Sequence, residues 1–216
     1  MFEAISQKVK AMTADSANNS NSFILWIDRV GAWKAYLSSE LTIGGPSSND
    51  RTPADISLMA NITRKHATLT RDKDTWSLEP HAGTRLGDRK IESRVPLRSD
   101  ASIHLGSSVE LQFRVPTALS STAVLDFVSG HRPAQSVDGI VLVHENVLLG
   151  PGPENHIVCP DWPDSVVLFR RDGDWQCKSR MNLAVDGDIV TDSHVVRAGS
   201  VIAGEDFRMR IEAVQS

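Results

Sequence analysis

The 216-residue chain predicts an all-β protein built as two β-sandwiches in tandem, and three observations carry that prediction. Apolar residues alternate with polar ones over short runs such as Val109, Leu111, Phe113 and Val115, the period of a strand with one face buried. Turn residues recur every several positions, and no stretch between them sustains the longer period of an amphipathic helix. The chain also repeats itself weakly: Trp76 and Trp175 stand 99 residues apart, Gly106 and Gly204 98, and Ile43-Gly44 and Leu149-Gly150 106. A period near a hundred residues means tandem domains rather than a solenoid. Each sandwich is expected to hold about ten or eleven short, mostly antiparallel strands.

In chain order, Phe2, Ile5, Val9 and Met12 have helical spacing, but the following run of Asp, Asn and Ser reads as a polar linker, so residues 1–22 are expected to be a flexible tail. Phe23, Leu25 and Ile27 open the first sandwich, and Trp33 to Leu37 answers them across the Val30-Gly31 turn. Leu41 to Ile43 leads into Gly44-Gly45. Residues 45–55 are dense in Pro, Ser, Asn and Asp and read as a long loop. Ile56 and Leu58 mark a short strand. Ala67 to Arg71 and Trp76 to Leu78 form a hairpin across the charged turn at Asp72 to Asp74. Further strands are expected at Val95 to Leu97, Ala101 to Leu105 and Ser108 to Val115. The first sandwich thus spans 23–116, a linker 117–121, and the second sandwich 122–216. In the second, strands are expected at Ala123 to Val128, Ile140 to Val143, Val166 to Phe169, Trp175 to Lys178, Ala184 to Val190 and Phe207 to Glu212.

Composition narrows the function classes. No apolar run approaches membrane-spanning length and the first residues lack a secretion signal, so a cytoplasmic protein with no membrane partner is expected. Two cysteines, Cys159 and Cys177, are too few for a disulfide framework and fit a reducing compartment. The net charge of −4 is uneven: through Pro116 there are 15 Lys and Arg against 13 Asp and Glu, and beyond it 8 against 14. No basic patch suggests nucleic acid, but any phosphate would favour the first half. His156, Cys159 and Cys177 lack a fourth ligand at a recognisable interval, so the reading is two buried thiols and an exposed imidazole, with no metal and no cofactor. No nucleophile elbow, phosphate-cradling loop with lysine or zinc-protease motif occurs, so no catalytic residue and no enzyme activity is expected.

One stretch organises the rest. Thr63-Arg64-Lys65-His66-Ala67 enters the first strand of the hairpin, and Ala82-Gly83-Thr84 leaves the second, so a hydroxyl, a guanidinium and flexible backbone amides are expected to meet at one end of a sheet. With Ile43-Gly44, Ile56-Ser57-Leu58, Trp76-Ser77-Leu78, Leu97 and Ile103-His104-Leu105-Gly106, in order and spacing, this pattern resembles the forkhead-associated (FHA) domain family. The resemblance covers about the first half of the chain. It implies a β-sandwich that binds phosphothreonine peptides on the loops at one end.

The chain departs from the family pattern at three places. Gly44-Gly45 stands where the family has Gly-Arg, so a guanidinium that would make charge-assisted bonds to phosphate is missing. Thr63 replaces a serine, a mild change. Ala82 replaces an asparagine whose amide would hold the ligand backbone. By the resemblance, Thr63, Arg64, Thr84 and Arg85 are the contact candidates, with Arg51 offering a guanidinium from the neighbouring loop. Gly44, His66 and Gly83 are expected to brace the loops. In the second copy, Pro151, Trp162, Ser165 and Met181 fall at the positions of the arginine, Thr63, His66 and Ala82, so that copy is expected to be degenerate.

Two functions follow. The first is a phosphate-independent or weakly phosphate-dependent protein-interaction module, an adaptor or scaffold. The second is phosphothreonine-peptide binding by the N-terminal copy in a Ser/Thr kinase signalling pathway.

Overall fold

In the computed structural model, residues 21–47 and 52–214 are described, and they form strands and connections with no helix among them. The helical spacing of Phe2, Ile5, Val9 and Met12 lies outside the described residues. The strands β1 (Ser22–Ile27) and β2 (Gly31–Tyr36) come first. Then follow β3 (Glu40–Gly44), β4 (Ile56–Ser57), β5 (Ala67–Asp72), β6 (Thr75–Pro80), β7 (Thr84–Leu86), β8 (Arg89–Ile91), β9 (Val95–Pro96), β10 (Ala101–Leu105) and β11 (Val109–Arg114). The second half supplies β12 (Ala123–Phe127), β13 (Gly139–Leu142), β14 (Asn146–Gly150), β15 (Ile157–Val158), β16 (Val166–Arg171) and β17 (Asp174–Ser179). It ends with β18 (Leu183–Val185), β19 (Asp188–Val190), β20 (His194–Val196), β21 (Val201–Ala203) and β22 (Arg208–Ala213).

Two compact units result, but they are not the two halves of the sequence. One is central and spans Leu37–His144; the other joins the residues up to Tyr36 with those from Glu145 onward. In the central unit one sheet runs β4-β3-β5-β6-β9, and the strands of the other follow the order β13-β12-β11-β10-β7-β8. Pairing is antiparallel except for the short parallel ladder of β3 and β4. Leu41, Ile43, Leu69, Trp76 and Leu78 from the first sheet, and Ile103, Leu105, Leu111 and Phe113 from the second, are buried as the core of this sandwich. The alternation in β11 is followed residue by residue, with Val109, Leu111 and Phe113 buried and Glu110, Gln112 and Arg114 turned outward. Trp76 is almost wholly buried, and its indole N–H donates to Ser121 O at 2.8 Å, which satisfies the one polar atom such a ring brings into a core.

The discontinuous unit repeats the same plan: β15-β14-β16-β17-β20 in one sheet, and β19-β18-β21-β22-β1-β2 in the other. Its registers match those of the central unit. Arg71 pairs with Trp76 as Arg170 pairs with Trp175, and Leu111 pairs with Phe127 as Met209 pairs with Ile27. Thus β12 and β13 complete the central unit, while β1 and β2 complete the other. The hairpins are exchanged relative to a division at 117–121, a correction to the expected boundaries 23–116 and 122–216. Residues 117–121 belong to the connection that folds β12 back on β11. That eight-residue connection closes a local antiparallel pair at low entropic cost, whereas pairing β1 with β11 would close a much longer loop.

The span Ala184 to Val190 holds two strands, with the hairpin turn that the acids Asp186 and Asp188 flanking Gly187 suggest. Asp186 (φ 54°) and Gly187 (φ 99°) both sit in the left-handed region, so the segment reverses as a two-residue turn and splits into β18 and β19.

Candidate functional site

The candidate site of the central unit lies where β3 and β10 end and β5 and β7 begin. His66, the residue before β5, is buried and joins three loops. Its Nε2 lies 2.9 Å from Gly83 O and its Nδ1 lies 3.1 Å from Thr63 Oγ1. Gly106 N–H lies 3.1 Å from the same Nε2, so the two ring nitrogens bridge Thr63, Gly83 and Gly106. Gly106 N–H also donates to Gly83 O at 2.9 Å, so this carbonyl ties the β6–β7 loop to the β10–β11 turn. The backbone of His66 adds to the brace: its N–H donates to Ile43 O, and its carbonyl accepts from His81 N–H and Ala82 N–H. Gly106 takes a positive φ of 62°, which only glycine adopts without steric cost.

The path of residues 60–64 decides what the site offers. A Cβ built on Gly44 would lie 1.7 Å from Arg64 O, and one on Gly45 would lie 2.4 Å from Ile62 O and 3.0 Å from Ala60 O. Backbone atoms therefore occupy the space into which any side chain at position 45 would project. Gly45 N–H donates to Thr63 O at 3.0 Å, so this amide is already committed. The loop has closed over the place where the family's arginine would begin, and it presents carbonyl oxygens there.

Thr63 and Arg64 are exposed at this end. The Arg64 guanidinium donates to Thr52 O at 2.9 Å, which fastens it to the loop that follows β3. The Thr63 hydroxyl donates to Lys65 O at 3.3 Å and lies 3.1 Å from His66 Nδ1, so it is engaged within its own loop. Thr84 is fully buried and donates to Ala82 O at 3.0 Å, so its side chain works inside the loop and does not reach a ligand. Arg85 is exposed on β7, and its cross-strand partners are His104 and Lys90. Arg51 lies outside the described residues. Gly44 admits the backbone of Arg64, whose carbonyl oxygen would lie 1.7 Å from a Cβ there. Gly83 braces through its carbonyl rather than its geometry, because a Cβ there would meet nothing within 4 Å.

Beside the site, Arg94 donates to Glu79 at 2.8 Å and holds that exposed carboxyl below its usual range, with His81 and Lys65 acting in the same direction at longer reach. The structural elements that sequence reasoning passed over are the carbonyls of Ala60 and Ile62 and the turn glycine Gly106. Only Gly106 left a signal, as the last residue of the family-like run ending at 106.

In the discontinuous unit the corresponding end is filled. Trp162 is buried and stacks on Phe207 at 4.0 Å between ring centroids. Ser165 donates to Asn155 Oδ1 at 3.0 Å, and its Oγ would lie 2.3 Å from a Cβ on Gly150. Met181 is half-buried, and its N–H donates to Ser179 Oγ. His156, expected to be exposed, is buried and accepts Leu148 N–H at Nδ1, because β14 packs directly over it. Cys159 and Cys177 are buried free thiols, and no group of three metal-ligating side chains occurs among the described residues. No helix among them is long and apolar enough to cross a membrane.

A sequence model of the FHA domain matches residues 42–106. Among solved structures, the chain is similar to the Rv0020c FHA structure, with 21% identity over 39% of this chain and 84% of that one and a TM-score of 0.28. It is also similar to the N-terminal FHA domain from EssC, a component of the bacterial Type VII secretion apparatus, with 14% identity over 89% and 93% of the two chains and a TM-score of 0.24. No curated protein matches.

Proposed function

Residues 42–106 are a forkhead-associated domain, and from that premise we propose that the chain is a non-enzymatic protein-interaction module, an adaptor or scaffold. Its recognition end takes a protein segment without phosphate, or with only weak dependence on it. The observation that supports this reading most is the closure of residues 60–64 over Gly45, which puts the Ile62 and Ala60 carbonyls where a phosphate-binding side chain would start. The discontinuous unit is read as a degenerate copy used for packing or for a different contact. The compartment in this proposal is the cytoplasm, and the partner is a protein rather than nucleic acid or membrane.

A second reading rests on the exposed pair Thr63 and Arg64, held beside the histidine brace. In it, the same end binds a phosphothreonine peptide within a Ser/Thr kinase pathway, with a guanidinium from Arg64 or Arg51 meeting the phosphate. The full chain probed with matched phosphorylated and unphosphorylated peptide libraries separates the two. Equal capture of both forms, with partners retained after phosphatase treatment, is the expected result. Capture that vanishes on dephosphorylation and on Arg64→Ala establishes the second reading instead.

A further inference from the structure

Charge at the candidate site of the central unit is one-sided, although the chain as a whole is net −4. Arg64 and Lys65 stand exposed ahead of β5, and His81 is exposed just beyond β6. The two segments are pinned together, since His66 O accepts from His81 N–H at 2.9 Å and Thr68 Oγ1 lies 2.8 Å from His81 Nε2. Among the described residues of the loops 45–55, 58–66 and 81–83 the one carboxylate is Asp55. It is taken up by the N–H and the hydroxyl of Thr42, each at 2.7 Å. Lys65 has no ion-pair partner among the described residues. Arg64 meets the carbonyl of Thr52 and no described carboxylate, and a carbonyl orients a guanidinium without neutralising it.

A resident carboxyl shows what this charge does. Glu79 on β6 is held below its usual range by Arg94 first, with His81 and Lys65 pulling the same way from farther off. The cations at this corner thus already favour an ionised carboxylate. The corresponding end of the discontinuous unit is a comparison within the same chain. The registers of β5 with β6 and of β16 with β17 put Pro163 and Asp164 at the places of Arg64 and Lys65, and Lys178 and Arg180 at those of Glu79 and His81. With Glu154 and Asp161 exposed in the loops, three acids there stand against two bases. The basic step Arg64-Lys65 is therefore particular to the central unit and not a demand of the fold. A phosphate concentrates its charge on one group and calls for several donors converging on it, but the space at Gly45 is closed. Carboxylates spaced along a segment need one cation each, which Arg64 and Lys65 offer. A polynucleotide needs a longer run of cations than this end presents.

We propose that the recognition end takes an acidic protein segment whose Asp or Glu side chains pair with Arg64 and Lys65, with His81 lining the same edge; this rests on the phosphate-independent reading above and names its class of partner. The full chain is immobilised and probed with two randomised, unphosphorylated peptide pools, one rich in Asp and Glu and one with Asn and Gln in their place. A phosphothreonine-bearing form of the second pool and a single-stranded DNA oligomer are run beside them. The acidic pool is retained about tenfold better than the amide pool, and its advantage shrinks as salt is raised. Arg64→Glu and Lys65→Glu each abolish the preference, and Lys65→Ala, which removes only an exposed ammonium, weakens it. Arg171→Glu makes the same change of charge in the discontinuous unit and leaves the preference intact. Circular dichroism checks that each variant keeps its strands. Equal retention of the acidic and amide pools, or a preference that Lys65→Glu does not touch, overturns the acidic partner while phosphate-independent binding stands. Retention confined to the phosphothreonine pool overturns both. DNA held more tightly than the acidic pool, or no pool retained at all, overturns the acidic partner as well.

Discussion

Restoring a side chain at position 45 is predicted to damage the fold before it could restore phosphate binding. In Gly45→Ala the new Cβ lies 2.4 Å from Ile62 O and 3.0 Å from Ala60 O, where ordinary contact begins at 3.4 Å. Both obstacles are backbone, so residues 60–63 must move by nearly an ångström. That movement stretches the Gly45 N–H bond to Thr63 O, now 3.0 Å. Overpacking of this kind costs about 1–3 kcal/mol, and a backbone hydrogen bond about 1 kcal/mol more, so a loss of about 3 kcal/mol is expected. For a unit of this size that is a fall of about 12 °C in the midpoint of thermal unfolding. Gly45→Arg should do at least as much harm and gain no phosphopeptide affinity. Gly83→Ala is the matched control, because its Cβ meets nothing within 4 Å; its stability should stay within about 0.5 kcal/mol of wild type. Differential scanning fluorimetry and urea titration of the three variants decide the matter. A Gly45→Ala protein as stable as Gly83→Ala would refute the reasoning, and a stable Gly45→Arg that captures phosphothreonine peptides would refute the functional reading with it.

The exchanged hairpins predict that a nick in the 117–121 connection will not release two separate halves. Leu119 is 90% exposed, so a protease site placed there should be cut in the native protein, and the fragments should co-elute until denaturant is added because each unit holds strands from both. Fragments that separate in buffer would contradict the pairing of β1 with β22. Truncating the brace by His66→Ala removes the ring's contacts to Gly83 O and the Thr63 hydroxyl and leaves a void where a buried ring stood, and urea titration should show a loss of about 2–4 kcal/mol. Burial pushes the Cys159 thiol up to about 12 and the Cys177 thiol up to about 11 from an ordinary value of 9.0. Thiols that ionise more readily when unfolded give stability that is intact below pH 9.0 and lost as pH climbs towards 11 and 12. A mixed-disulfide reagent at pH 8 should therefore label neither cysteine until the protein unfolds, and rapid native labelling would show that one of them is accessible.

Much of the fold was legible in the sequence, because alternation reports directly which side chains face a core. Val109 to Phe113, Ala67 to Leu69 and the paired Trp76 and Trp175 gave strands, hairpins and the repeat without reference to any distant residue. Thr63, His66 and Gly83 were likewise legible as a group at one loop end, since each flanks a strand that alternation had already placed. Three features depended on the tertiary structure. Which hairpin completes which sandwich is not written in alternation, since β1 and β12 carry equivalent apolar patterns; it follows from which partner lies nearer along the chain when the sheet closes. Gly45 loses all side-chain space because of where the backbone of residues 60–64 runs, and a loop path is the sum of hydrogen bonds to residues scattered over the unit. The apolar outer positions around Trp26 also needed the folded chain, because Ala184, Ile189, Val201 and Trp26 come from four strands that only the sheet register brings side by side. Local periodicity determined the layers, and long-range pairing decided what they display.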